Sequence, residues 1–574
     1  MAKFLLGVLV GVVIVVLVAV ISVLAIGKLF GNKQPVISPN AVLVLGISGD
    51  VPESSPVDLA IPFLQSPGAP TVTDVWNSLH RAASDNRVKA LLIQPRDLTI
   101  GWAKLQEIHR DIEDFKKSGK PVYALLQGPG SKEYYLGSAA DRIFLSPDDV
   151  LEVKGFRIEE TYLKNTLDKL GIGVDVDHIG RFKDAGDLYT RTGMSPETRE
   201  VLNQVLDQLF GDFCSTVATA RHKSADSIRA LVDMGPFTAA QAKAVGLIDE
   251  LGYEDNVFSE IKGKTGSRDL NRVPFRTYFR AVPGRGDRIA MLVGEGEITR
   301  GEPEGGFNPG GSLSSGGFSK VVRQVREDKG IKGVIVRVDS PGGDAVASDE
   351  ILHELKLLSK AKPVVISMSD LAASGGYFIS MTGDPVVSYP NTITGSIGVL
   401  YVRPNLKGLF DKLGLQQETI TRGKLADLDS LTTPLSDAAR QKLHESIEWT
   451  YKEFVSKVAS ARRRTYDQID PLAQGRVWMG AQARQNGLVD QLGGISESIA
   501  LIRKRAHLSE RGETELVAFP PRQSLLDLLF NSSSSSVADH VLNFKIRSLL
   551  PGLPGHSLLK GGMLRVMPYS LSVQ

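Results

Sequence analysis

Disulfides are excluded first. The 574-residue chain holds one cysteine, Cys214, which cannot pair within the chain and sits in an apolar helical pattern with no histidine implied beside it. It reads as core rather than as a thiol nucleophile. An excess of either charge is also missing. Lys and Arg number 67 against 65 Asp and Glu, a formal net charge of +2, and no basic cluster marks a surface for nucleic acid. No group of His, Cys, Asp and Glu has the spacing of metal ligands, so neither metal nor cofactor is expected. The glycine-rich stretch 305–317 lacks the Lys-Ser/Thr ending of a phosphate-binding P-loop and reads as a mobile loop.

One long apolar run stands out. Phe4 to Ile26 is 23 residues without a charge, longer than the apolar part of a secretory signal and long enough to cross a hydrocarbon layer of about 30 Å once. Residues 1–33 are therefore expected to form a membrane anchor. Lys3 precedes the run and Lys28 and Lys33 follow it, so the positive-inside rule barely orients it. An uncleaved anchor with nearly everything C-terminal to it suggests a cytoplasmic N-terminus and an exported bulk.

The rest of the chain is too long for one core. From about Ala41 short apolar strands alternate with amphipathic helices, the pattern of βαβ units with parallel strands and an α/β fold. The pattern then repeats. Val88-Lys89-Ala90-Leu91-Leu92-Ile93 matches Ile331-Lys332-Gly333-Val334-Ile335-Val336 at an offset of 243, and Asp168-Lys169-Leu170-Gly171 matches Asp411-Lys412-Leu413-Gly414 at the same offset. Further on, the match of Ala240 to Asp249 with Ala481 to Asp490 has an offset of 241, so a two-residue deletion separates the frames. Two copies of one fold are expected, at 41–254 and 288–507, joined by a polar linker at 255–287. The tail 508–574, with a Pro-Pro step and the serine run Ser532 to Ser536, is expected to be partly flexible.

The chemistry concentrates in the second copy. An apolar run, Pro363 to Met368, leads into Asp370-Leu371-Ala372-Ala373-Ser374-Gly375-Gly376-Tyr377. A buried strand followed by small residues and a helix start presents one hydroxyl, Ser374, with the backbone N–H groups of Gly375 and Gly376 beside it. Val338-Asp339-Ser340-Pro341-Gly342-Gly343-Asp344 also follows a strand, and its Gly342-Gly343 turn can offer further N–H donors to an oxyanion.

A serine nucleophile needs a base. Of nine histidines the next after Ser374 is His444, 70 residues on, which disfavours a Ser-His-Asp triad; a buried lysine with a lowered pKa can serve instead. In the 243 frame Gly180-Arg181-Phe182-Lys183-Asp184 falls on Gly423-Lys424-Leu425-Ala426-Asp427, so Lys183 has no lysine opposite it. The first copy has Ser131-Lys132-Glu133 where the second has Ser374-Gly375-Gly376. Each copy lacks what the other keeps, which points to a composite site of Ser374 and Lys183. Lys424 is the rival base, because the 241 frame aligns it with Lys183. Ser396, in Thr394-Gly395-Ser396-Ile397-Gly398, could hold a neutral amine by hydrogen bond; the first copy has Val153 opposite it.

The N-terminal run, the tandem repeat, the Ser-Pro-Gly-Gly, Ala-Ala-Ser-Gly-Gly-Tyr and Thr-Gly-Ser-Ile-Gly-Val motifs, and Gly-Arg-Phe-Lys followed by Met194-Ser195-Pro196 together resemble the long form of the signal peptide peptidase A family, the bacterial protease IV group. The likeness covers about Ala41 to Arg505 and the anchor. It implies two tandem ClpP/crotonase-like domains and a serine peptidase with a Ser/Lys dyad that degrades signal peptides left in the membrane, on the periplasmic or extracytoplasmic side of a bacterial plasma membrane. It further implies Ser374 as nucleophile, Lys183 as base, Ser396 as the lysine's contact, Gly375 as an oxyanion donor, and a homotetramer. The long tail departs from the family. Two rival readings remain at this level. An acyl-CoA enzyme of the same fold predicts an acidic base and no need for Ser374, and an inactive membrane scaffold predicts that the half-sites decay independently.

Overall fold

Ala41–Gly49, Val88–Leu98 and Val122–Leu126 carry apolar residues on both faces and are almost wholly buried, as parallel strands between helix layers must be. The computed structural model describes residues 35–54, 57–58, 70–302, 312–510, 512–521, 523–524 and 562–567, with Gly7. Apart from Gly7, the expected anchor 1–33 lies outside the described residues, among which no helix is long and apolar enough to cross a membrane. Most of the glycine-rich stretch also lies outside; where description resumes, Ser312–Ser314 is a strand and Ser315–Glu327 a helix.

The first copy is a six-stranded parallel sheet ordered 271–274, 41–49, 88–98, 122–126, 142–145, 250–251. The second repeats that order in parallel with 514–519, 287–295, 333–340, 364–373, 386–388 and 491–492, and adds 393–395 beside 364–373 and an antiparallel strand 477–479, eight strands in all. One expectation is corrected by this. Residues 255–287 are not a linker: they hold the helix Glu254–Thr265, the edge strand Asn271–Pro274 and the helix Phe275–Ala281. Within the tail, Thr514–Phe519 is the matching edge strand of the second sheet. An edge strand is paired on one side only and tolerates polar residues and proline. That tolerance is what made Asn271-Arg272-Val273-Pro274 look like a connector.

A third sheet joins the copies. Its order is 312–314, 297–299, 342–344, 562–566, 399–405, 173–179. Gly173–Ile179 of the first copy runs antiparallel to Val399–Asn405 of the second, with every rung in register from Gly173 opposite Asn405 to Ile179 opposite Val399. The core also crosses the boundary, since Ile335, Val365, Val477 and Met479 belong to the same buried cluster as Leu43, Leu91 and Phe213.

Arg337 is fully buried at this boundary. Its guanidinium donates to Glu53 at 2.8 Å and pairs with Glu107, both from the first copy, and reaches Ser367 at 3.0 Å and Ser369 at 3.2 Å. Burial works to raise the Glu53 carboxyl, but Arg337 and then Lys104 outweigh it and hold it below the usual range. Glu107 is raised, by burial first and despite Arg337, with the Glu53 charge adding to the effect. Arg337→Met would strand two buried carboxylates and should lower the unfolding free energy by about 3–5 kcal/mol. Denaturant unfolding of the detergent-solubilised chain measures this; a loss under about 1 kcal/mol, the level of a surface pair, would contradict it.

Candidate active site

The strand Val364–Ala373 runs five residues beyond its apolar core and stops at Ser374, whose φ of 54° and ψ of −113° are unusual for a residue with a side chain. Such a conformation costs about 1–3 kcal/mol. It lifts the hydroxyl onto the tip of a strand-to-helix turn, where a nucleophile is presented. Two hydrogen bonds hold the turn, Ser374 N–H to Gly395 O and Phe378 N–H to Ser374 O, both 2.8 Å. The glycines after the serine let the second loop pack against it. A β-carbon at Gly376 would lie 2.5 Å from Ser340 O, and one at Gly375 2.8 Å from Ser348 Oγ and 3.0 Å from Gly342 Cα.

Register explains Ser396. Ile393–Gly395 pairs with Leu371–Ala373, Gly395 opposite Ala373, so the two serines follow the last rung on neighbouring strands. Ser396 also has a positive φ, 50°, and its N–H is held by Arg476 O at 2.7 Å.

Lys183 enters from the first copy. The strand 173–179 delivers Gly180 beside the second copy, Phe182 N–H donates to Gln474 O at 2.8 Å, and Lys183 follows, fully buried. Its Nζ lies 2.8 Å from Ser374 Oγ, 2.9 Å from Ser396 Oγ and 3.1 Å from Ser396 O. Serine nucleophile candidate, lysine and second serine therefore meet at one amine. Lys424, the rival, is exposed, and His444 is exposed and pairs with Asp177 at 3.0 Å.

Sequence reasoning missed the groove that admits the lysine stem. At Gly475, which has a φ of +74°, a β-carbon would sit 2.6 Å from Lys183 Cβ, and at Gly398 it would sit 3.0 Å from Lys183 Cδ. The second glycine of Gly-Ser-Ile-Gly was visible as part of a motif. Gly475 carried no signal, because its crowding partner lies in the other copy.

The first copy's equivalent position is filled. Glu133 stands where the second copy has Gly376, and its buried carboxylate accepts from Leu98 N–H at 2.6 Å and from Gly130 N–H at 2.9 Å. The Glu133 carboxylate thus ties the strand Val88–Leu98 to the start of the helix Ser131–Gly137.

On the Gly342-Gly343 turn both amides are engaged. Gly342 N–H donates to Ser340 Oγ at 3.2 Å, while Gly343, whose N lies 3.1 Å from the point a Gly375 β-carbon would occupy, is paired with Arg565 of the tail strand. A strand from the tail runs along this turn: Leu564, Arg565 and Val566 pair antiparallel with Asp344, Gly343 and Gly342, and Met567 N–H donates to Pro341 O at 2.8 Å. Its other edge pairs with Leu400–Val402.

Tandem parallel α/β sheets, with a hydroxyl at a strained strand-to-helix turn and an amine against it, define a hydrolase of the nucleophilic-serine class. Residues 114–267 and 356–509, one stretch in each copy, match peptidase family S49. The chain is 35% identical over 469 residues to the chloroplastic serine protease SPPA of Arabidopsis thaliana, covering 80% of this chain and 69% of that one. It is 32% identical over 493 residues to Protease 4 of Salmonella typhi, covering 83% and 78%, and 30% identical over 516 residues to Protease 4 of Haemophilus influenzae, covering 85% and 82%. The chain belongs to peptidase family S49, and it is a serine peptidase.

Because Gly475 is both left-handed and pressed against Lys183, Gly475→Ala should displace the amine. Peptide hydrolysis is expected to fall by about 10²-fold, the usual effect of roughly 1 Å of misplacement, with the far-ultraviolet circular dichroism unchanged. Wild-type turnover in this variant would mean the amine's position is not set there.

Proposed function

We propose that the protein is a membrane-anchored endopeptidase in which Ser374 of the second copy and Lys183 of the first form a Ser/Lys dyad, and that its substrates are extended hydrophobic peptides, cleaved signal peptides among them. The observation that carries this is the 2.8 Å contact between Lys183 Nζ and Ser374 Oγ, made across the repeat and wholly out of water. Removing an amine from water disfavours its charged form, and Ser396 gives the neutral amine a fixed direction. Lys183 takes the Ser374 proton as the oxygen attacks a peptide carbonyl; the tetrahedral oxyanion is held by the Gly375 N–H and the Gly342-Gly343 turn, whose Gly343 N–H is released when the tail strand paired with it leaves. Lys183 then gives its proton to the leaving amine and activates water to release the acyl group. The acyl-CoA alternative calls for an acidic base, whereas an amine faces Ser374.

The tail strand supports an extended substrate. A backbone laid between 342–344 and 399–405 is paired on both edges, the mode in which sheet edges bind peptides, and a substrate would take that place. The anchor 1–33, the extracytoplasmic placement of both copies at a bacterial plasma membrane and the homotetramer belong to the same proposal.

Hydrolysis of an apolar peptide by the detergent-solubilised full chain tests the dyad. Ser374→Ala and Lys183→Ala should each lower kcat/KM by at least about 10³-fold, and Lys424→Ala should leave it within about twofold. Since the base must be neutral, the rate should climb from acid to alkaline pH in the wild type; a flat profile would rule out a lysine base. If Lys424→Ala is the inactive variant, the base lies within the second copy. Ending the chain at residue 524 should lower KM for the peptide, and a synthetic peptide of sequence 562–567 should compete with substrate in the shortened protein. An unchanged KM would mean the slot is not where substrate binds.

A further inference from the structure

The two loops that build the second copy's site are tied to the first copy by a cluster that the dyad does not use. The helix Trp102–Lys116 aims its N-terminus at the strand 364–373, and Asp370 Oδ1 accepts from the amides of Ala103 and Lys104, each at 2.9 Å. From there the Lys104 side chain, 5% exposed, runs back to Asp339 Oδ2 at 3.0 Å and Asp370 Oδ2 at 3.5 Å, with the half-exposed Asp50 at 3.8 Å. Asp339 Oδ1 in turn accepts from Leu371 N–H at 3.0 Å. One ammonium therefore joins the residue just before Ser340-Pro341-Gly342-Gly343 to a residue four positions before Ser374.

We propose that Lys104 is a positioning residue of the peptidase reaction, fixing the Gly342-Gly343 turn against the Ser374 turn, so that the first copy shapes the site twice. This rests on the reading of Ser374 as nucleophile given above. An oxyanion donor works only within about 2.7–3.1 Å of the developing charge, and a turn of two glycines has no side chains by which packing could hold it. Backbone pairing with 297–299 and 562–566 holds its far side, and its entry end is fixed through Asp339. Asp339 and Asp370 are like charges at close quarters and repel unless a cation stands between them. Burial pushes the Asp339 carboxyl up to about 7, with Asp370, Glu53 and Glu295 adding to the rise and Lys104 opposing it. The Lys104 amine is held well above the usual lysine range: burial opposes this, and Asp339, Asp370, Glu53 and Asp50 outweigh it. The Lys104 ammonium therefore keeps its charge well into the alkaline range.

The test uses the detergent-solubilised full chain. Lys104→Met should lower kcat about 10²-fold while KM for the peptide stays within about threefold, because substrate still pairs along the sheet edges. A peptide aldehyde, whose hemiacetal oxygen sits where the oxyanion forms, should lose affinity by about the same factor as kcat/KM. Asp339→Asn keeps an acceptor for Leu371 N–H and removes only the charge, and should move both quantities in the same direction by about tenfold. The idea fails if kcat is unchanged, or if it falls without the aldehyde affinity following. Should Lys104→Met not fold, Asp339→Asn decides alone, and wild-type kcat in it overturns the proposal. Hydrolysis that survives Ser374→Ala would instead condemn the reading of the site, whatever Lys104 does.

Discussion

The pairing of Gly173–Ile179 with Val399–Asn405 is the constraint on which the chemistry hangs. A lysine on its own long stem can reach many places; what brings Lys183 to Ser374 is a backbone ladder seven residues long whose register is set at every rung. A slip by one residue would turn every side chain on the strand to the opposite face, and Lys183 lies four residues past its end. The same ladder closes one edge of the slot in which the tail strand lies, so the positions of the tail strand and of Lys183 share an origin.

That ladder would be a thin join between two separate bodies, and the copies are not separate. The buried Arg337 cluster, the Lys104 bridge and a common apolar core cross the same boundary. A charge cluster without water is costly unless complete. Glu53 and Glu107 of the first copy are matched to Arg337 of the second, so these buried charges are paired only when both copies are folded against each other. The candidate site thus lies where backbone pairing, buried ion pairs and a shared core join the two copies, a setting that suits preorganised donors.

Much of this was legible in the chain because it is written twice. The offset of 243 exposed the repeat, and the complementary losses at Ser131 to Glu133 and at Ala426 singled out Ser374 and Lys183 before any geometry was available. Other parts were hidden for physical reasons. Asn271–Pro274 and Thr514–Phe519 are edge strands, half-satisfied by pairing and so free to be polar, and only their common place in the two sheets reveals them. Gly475 is a glycine because of a residue in the other copy, a dependence that local pattern cannot carry. Glu133 read as a lost glycine, whereas its carboxylate fills the amides it faces. The strand at 562–566 lies beyond a serine-rich stretch, where composition argued against structure.

A chain is made and folded from its N-terminus, and this bears on the division of the site between copies. While the ribosome is still at work, the first domain to emerge holds Lys183 but neither Ser374 nor Ser396. The hydroxyl arrives later, and the Gln474-Gly475 segment against which the lysine lies arrives later still. The strand 562–566, which lies beside both 342–344 and 399–405, is made after both copies. The proposed dyad is therefore not assembled until both copies have been made.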